Sequence, residues 1–218
     1  MDNRYKVLVP HDFSEVADTA ISHAATVAKS FKVEVVLLHV ISSEKARTEA
    51  EGKLKELSEN ASTTYGVPVS FEIRKGSIFD RIPEVGEEVG AMLVVMGTHG
   101  IKGIQHLTGS YALKVIGHSK LPFVVNQGKK SKGSIKDLVL PIKFSQETKS
   151  KLSITASLAK HFQATIHIFI ANEKDEFIMT KVKRELTFAK QYFTERKVKY
   201  EVEIAPEHGN FIPQLLQY

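Results

Sequence analysis

The pattern best suited to chemistry in this sequence is a run of fifteen residues, Met96-Gly97-Thr98-His99-Gly100-Ile101-Lys102-Gly103-Ile104-Gln105-His106-Leu107-Thr108-Gly109-Ser110. It follows an apolar run at 91–96 (AMLVVM) and opens a short helical pattern at 110–117. Glycines let a backbone come close to a phosphate, and the free N–H groups at a helix N-terminus, with the dipole behind them, attract anions. Ser110 would add a hydroxyl at that helix start, and Thr98 and Tyr111 flank the glycines within reach of a phosphate or sugar. The same residues also suit a glycine-rich turn in which Ser110 only caps the helix and Thr98 and Tyr111 only pack. Neither G-x-x-x-x-G-K-[ST] nor a G-x-G-x-x-G after the first strand occurs, so two familiar phosphate fingerprints are excluded.

A second candidate is Asp12, which follows the apolar run at 5–10 (YKVLVP). Its carboxylate can accept hydrogen bonds from a ligand, or it can close an Asx turn ahead of the first helix. His99 and His106 lack a third ligand at a recognisable metal spacing, and His11, His23 and His39 are scattered enough to read as structural. The sequence holds no cysteine, which rules out disulfides, thiolate metal sites and cysteine nucleophiles and leads us to expect a reducing, cytoplasmic setting. No run of about 18 apolar residues and no signal-peptide pattern is present, so we expect neither membrane insertion nor export.

The elements that must position these residues alternate in kind. Residues 5–10 and 34–41 are nearly continuous apolar runs, as in parallel strands buried on both faces. Between them Val16, Ala17, Ala20, Ile21, Ala24, Val27, Ala28 and Phe31 recur at helical spacing behind a capping Ser14. A second helix is expected within 44–65, and Val67, Val69, Phe71 and Ile73 alternate as a strand at the sheet edge would. A third helix at 78–89, the strand at 91–96, the short helix and a last strand from Pro122 to Asn126 complete the series. Strands separated by helices in this way predict an α/β fold with a doubly wound parallel five-stranded sheet.

After a polar linker at 127–135 the pattern restarts. Residues 137–146 (DLVLPIKFSQ) repeat 6–15 (KVLVPHDFSE) at an offset of 131, and the register persists through Ala28 with Ala159, Phe31 with Phe162, and the following strand. Two domains are therefore expected, 1–126 and an incomplete second copy at 136–218, which ends inside the equivalent of the third helix. Lacking the equivalents of the last two strands, that copy is expected to be a fragment or to be completed by a partner. The formal net charge of +5 lies wholly beyond residue 126, with Lys129, Lys130, Lys132 and Lys136 close together. No stacking aromatics accompany them, so a solvated linker is expected rather than a nucleic-acid surface.

The Gly-rich run resembles the ATP signature of the universal stress proteins, G-x-x-G, nine residues, then G-[ST]. Gly97 with Gly100, and Gly109 with Ser110, supply the two halves, although eight residues rather than nine separate Gly100 from Gly109. VLVPHDFSE resembles the opening of that family, which puts Asp12 where an acidic residue contacts adenosine and Val40 where the second strand lines the adenine pocket. The resemblance spans 1–126 and, more weakly, 136–218. It implies a Rossmann-like sheet of the adenine nucleotide alpha hydrolase type that binds ATP, with Mg2+ as its accompanying cation, through Asp12, Val40, Met96, Gly97, Thr98, Gly100, Gly109, Ser110 and Tyr111. In the second copy Lys143 replaces Asp12, so the resemblance confines ATP to the first. It implies a stress-response module in which ATP alters conformation or partner choice, with at most slow hydrolysis. It also implies self-association or internal pairing through the strand from Pro122 to Asn126. Two other readings stay open: a dimerisation scaffold that binds no nucleotide, and an ATP-using enzyme, against which stands the lack of an adenylation motif.

Overall fold

The computed structural model describes residues 5–98, 109–143, 148–207 and 209–218. Two compact units emerge, Met1–Gly133 and Ser134–Tyr218. In the first, strands β1 (Lys6–Pro10), β2 (Glu34–Ile41), β3 (Val69–Lys75), β4 (Ala91–Gly97) and β5 (Phe123–Asn126) form one parallel sheet in the order β3-β2-β1-β4-β5. Helices α1 (Glu15–Phe31), α2 (Arg47–Tyr65), α3 (Ile78–Glu88) and α4 (Gly109–Gly117) connect them, with a short 3₁₀ turn at Glu44–Ala46 before α2.

The sequence periods explain this arrangement. Val35, Val36, Leu37 and Leu38 of β2 are all buried, as a central strand covered on both faces requires. Strand β3 is one of the two edge strands, and its fifth residue, Ile73, is its one buried position. Helix α1 begins where Ser14 accepts a hydrogen bond from the Ala17 N–H, and Glu15 and Asp18 in the first turn suit the positive end of its dipole. It ends at Lys32 in a left-handed conformation. Its buried face is built largely from alanines, Ala17, Ala20, Ala24, Ala25 and Ala28, which let the helix lie close on the sheet.

That closeness peaks at Gly97. A Cβ there would overlap the Val16 carbonyl oxygen and lie 2.6 Å from Val16 Cγ1, so a hydrogen is the largest substituent the end of β4 can carry against α1. The strand order makes β1 and β4 neighbours although β1 is followed in sequence by β2, which creates the topological switch point at which open α/β sheets bind ligands.

The segment after β5 is solvated at its lysines, as expected of a polar linker, and in addition bonds to α1. Lys129 O accepts from the His23 ring, Ser131 Oγ bonds Thr26 Oγ1 at 2.8 Å, and the Ser131 N–H donates to Ser22 Oγ at 3.0 Å. Three polar groups of α1, on Ser22, His23 and Thr26, hold the segment 129–131 on that helix, while Lys129 and Lys130 themselves extend into solvent.

The second unit has strands β6 (Asp137–Ile142), β7 (Thr165–Ile170) and β8 (Tyr200–Ile204), parallel and in that order, with helices α5 (Thr148–Phe162), α6 (Glu176–Glu195) and α7 (Phe211–Gln217). The offset of 131 read from the sequence is also the offset of the pairing: Ile166 pairs with Tyr200 as Val35 pairs with Val69. One face of this sheet packs Leu140, Ile142, Ile166, Ile168 and Ile170 against Leu152, Val182, Ala189 and Phe193 of α5 and α6. On the other, Phe169 stacks with Phe211 and Tyr218 at 5.6 and 4.7 Å between ring centroids, and Val139 of β6 is 47% exposed where its counterpart Leu8 is fully buried.

If Gly97 is the steric seat of β4 on α1, Gly97→Ala will destabilise the full chain by about 1–3 kcal/mol in urea denaturation, the usual range for overpacking. Gly117→Ala, where a Cβ meets nothing within 4 Å, serves as the control and will cost nothing.

Candidate functional site

The four residues between β1 and α1, His11 to Ser14, form a tightly bonded exit. The His11 N–H continues the sheet by donating to Leu38 O at 2.8 Å. His11 itself is buried, with Nδ1 accepting from the Phe13 N–H at 3.1 Å and Nε2 lying 3.1 Å from Asp18 Oδ1. A backbone N–H can only donate, so Nδ1 is unprotonated and the ring proton sits on Nε2, facing the Asp18 carboxylate. The His39 ring, Nδ1 donating, reaches the His11 carbonyl at 2.7 Å. Phe13 takes φ +63°, a left-handed conformation that costs an aromatic residue roughly 1–2 kcal/mol. Its ring packs 4.5 Å from the His39 ring and 5.7 Å from that of His11, and these contacts together with the turn hold it there.

Asp12 stands on this frame with its side chain exposed. Oδ1 accepts from both the Ser14 N–H, at 3.1 Å, and the Ser14 hydroxyl, at 2.5 Å. The Asx-turn reading of Asp12 is thus what Oδ1 does. Oδ2 has no partner among the described residues, so the same carboxylate retains an acceptor for something else. Ser14 passes the arrangement into the helix by capping Ala17.

On the neighbouring strand, Met96 is fully buried in the core and Gly97 rests on Val16. Thr98 is also buried, its N–H donating to Asn126 O at 2.9 Å. Val40, near the end of β2, is partly buried against the cluster of Leu8, Leu38 and Val94. Asp12, Gly97 and Thr98 therefore lie at the C-terminal ends of adjacent strands, with Val40 at the end of the next strand over. Gly100, like His99 and His106, lies outside the described residues. Gly109, Ser110 and Tyr111 form the first turn of α4, which starts one residue earlier than expected, so Ser110 is inside the helix rather than its cap.

Two arrangements here were not legible in sequence. His11 joins Asp18 across the helix cap, a pairing seven residues apart whose only sequence trace is a histidine directly after the first strand. Asn126 ends β5 with Nδ2 donating to Thr19 Oγ1 at 2.6 Å, while Thr19 donates to Val16 O at 2.7 Å; this fixes the amide orientation and leaves Asn126 Oδ1 buried without a partner among the described residues. The polar residue closing the apolar run FVVN was the available signal. Among the described residues no three of His, Cys, Asp and Glu gather to hold a metal ion, and no helix is long and apolar enough to cross a membrane.

Burial pushes the His11 imidazole below its ordinary value, and the opposing pull of the Asp18 and Asp12 carboxylates does not offset this. Geometry gives the same direction, since a proton added to Nδ1 would meet the Phe13 N–H.

The fold is of the doubly wound parallel α/β class, with its candidate residues at the switch point. The chain belongs to the universal stress protein family, whose model matches residues 4–126. It is similar to universal stress protein MJ0531 of Methanocaldococcus jannaschii, 32% identical over 142 residues that cover 57% of this chain and 83% of that protein. The fold is shared with a universal stress protein from Archaeoglobus fulgidus DSM 4304 (TM-score 0.75, 18% identity, 94% of this chain and 79% of that one). A universal stress protein from Archaeoglobus fulgidus in complex with dAMP is a further structural neighbour (TM-score 0.45, 22% identity, 56% of this chain and 94% of that one).

A buried, neutral His11 stabilises the fold above its ordinary value of 6.5 and ceases to do so as pH falls, because the unfolded chain binds the proton more readily. Melting temperature should therefore drop between pH 7 and pH 5, and His11→Gln, which keeps a donor and an acceptor but cannot titrate, will make that drop smaller. An unchanged pH slope in the variant would remove His11 from the explanation.

Proposed function

We propose that the first unit binds ATP, with Mg2+ arriving on its phosphates, at the C-terminal ends of β1 and β4. The observation that carries this is the juxtaposition of Asp12, an exposed carboxylate with one oxygen engaged by Ser14, and Gly97, a strand end on which no side chain fits. The first offers an acceptor to the adenosine part. The second brings bare backbone to the start of the Gly-rich run, whose far end, Gly109-Ser110, begins α4 and so offers the free N–H groups of a helix start to phosphate. Val40 lines the base side, and Met96, Thr98, Gly100 and Tyr111 complete the set that the family resemblance assigns. In the second unit Lys143 takes the place of Asp12; it can donate but not accept, which fits nucleotide binding by the first unit alone.

On this reading ATP occupancy sets conformation or partner choice in a cytoplasmic stress response, and turnover is at most slow. Self-association, or internal pairing of the two domains, would run through the strand from Pro122 to Asn126. It is the outer strand of its sheet, and Val125 is 43% exposed on it, an apolar edge of the kind that pairs. The same edge favours the second reading, a scaffold without nucleotide.

Calorimetric titration of the full chain with Mg-ATP separates the two. Asp12→Asn keeps an oxygen for Ser14 while removing the charge, and should weaken ATP by about tenfold, the scale of one charge-assisted bond, with the melting temperature unchanged. Asp12→Lys, which copies the second unit, should weaken it further. No saturable binding to the unmodified chain at millimolar ATP would leave the scaffold reading in its place.

A further inference from the structure

At the end of the second sheet where its strands begin, two helix-to-strand turns meet. Helix α5 closes at Gln163 (φ +55°) and α6 at Lys197 (φ +54°), each turn sealed by a backbone bond, Ala164 N–H to Ala159 O and Val198 N–H to Phe193 O. Between them lies an open cleft of about 340 Å³ edged by Lys160, Gln163, Lys197 and Lys199. All four side chains are exposed.

Three observations give this cleft a ligand chemistry. Its lysines have no anionic partner among the described residues, and three carboxylates of the same unit have partners of their own. Asp137 and Glu201 face His167 at 2.9 and 3.5 Å, and Glu195 accepts from Gln191 at 2.9 Å and pairs with Arg196 at 3.9 Å. Next, two of the three lysines are particular to this copy, whereas Lys160 has its counterpart in Lys29 and Gln163 stands where the first unit has Lys32. The offset that aligns the two units sets Gly66 opposite Lys197 and Pro68 opposite Lys199. Gly66, at φ +65°, adopts the left-handed turn freely, whereas the second unit places a lysine in the same backbone conformation, where a side chain is disfavoured. Finally, the lining contains no aromatic ring on which a base could stack, so recognition would rest on charge.

We propose that this lysine-edged cleft is a second binding site, for a small phosphate-rich anion. Three ammonium groups around a shallow space act as point charges for phosphate oxygens, the chemistry shared by inorganic oligophosphates and the phosphate tail of a nucleotide. The volume lies at the lower end of small-ligand pockets and suits a few linked phosphates rather than a long polymer.

Inorganic tripolyphosphate titrated calorimetrically into the full chain at low ionic strength tests this. Saturable binding is expected, weakening as salt rises. The pair Lys197→Gly and Lys199→Pro restores the first unit's residues to a backbone that accepts them; it should cut affinity at least tenfold while the melting temperature without anion stays level or rises. The paired variant alters only the second unit, so Mg-ATP binding that depends on Asp12 should persist in it while tripolyphosphate binding falls, which separates this site from the one at β1 and β4. ATP competing with tripolyphosphate while adenosine does not would identify a nucleotide tail as one source of the anion; failure of ATP to compete would assign the site to inorganic oligophosphate. The proposal is overturned by an absence of saturable binding at millimolar tripolyphosphate, or by undiminished binding in the paired variant. A single-stranded oligonucleotide that binds far more tightly per phosphate than tripolyphosphate would likewise overturn it in favour of a nucleic-acid surface.

Discussion

The contact between Gly97 and Val16 is the constraint on which the first unit's chemistry rests. Because β4 ends in a glycine, the first turn of α1 can press onto the strand, and that turn carries Ser14, Asp18 and Thr19 with it. Each of these then holds something at the sheet's C-terminal edge: Ser14 fixes Asp12, Asp18 fixes the His11 ring, and Thr19 fixes Asn126 beside Thr98. A methyl group at position 97 would lift the helix and loosen all three at once. Close packing, rather than any single hydrogen bond, thus sets the spacing between the exits of β1 and β4.

The exit from β1 shows how that rigidity is distributed. Phe13 is held in a left-handed conformation by the Asx turn at Asp12 and by the rings of His11 and His39, so the strain is local and its compensation is local too. Lys53 of α2 lies 5.5 Å from the Phe13 ring centroid and extends the cluster to the next helix. The second unit keeps the frame, with the same parallel pairing and the same left-handed helix ends, yet exchanges the side chains at two sites. Lys143 stands for Asp12 at the top of the sheet, and Lys197 stands for Gly66 at the bottom. One architecture therefore presents an acceptor at one edge in the first copy and a set of donors at the opposite edge in the second. Function follows these substitutions and not the fold.

Much of this was legible in the residue pattern. Continuous apolar runs marked β1, β2 and β4, alanine-rich helical spacing marked α1, and the repeat at an offset of 131 located the second unit down to strand register. That Asp12 and Gly97 stand at adjacent strand ends depends on the strand order, which the residue pattern alone does not give. What the pattern could not show depends on distance in space. The His11–Asp18 pair and the Asn126–Thr19 bond join residues whose proximity exists only once α1 is seated on β4. The run at 129–131 read as a solvated linker from its lysines, which hold no sign of the bonds its backbone makes to α1. The lysine cleft escaped notice because its cations come from two turns more than thirty residues apart and look like ordinary surface charge in either one.

The account turns on adenine nucleotide occupying the exits of β1 and β4, and amide chemical-shift mapping of the isotopically labelled full chain with Mg-ATP tests that most directly. The account requires saturable shifts at His11 through Ser14 and at Gly97 and Thr98, with Val40 following. Shifts confined to other regions, or none at millimolar nucleotide, would contradict it.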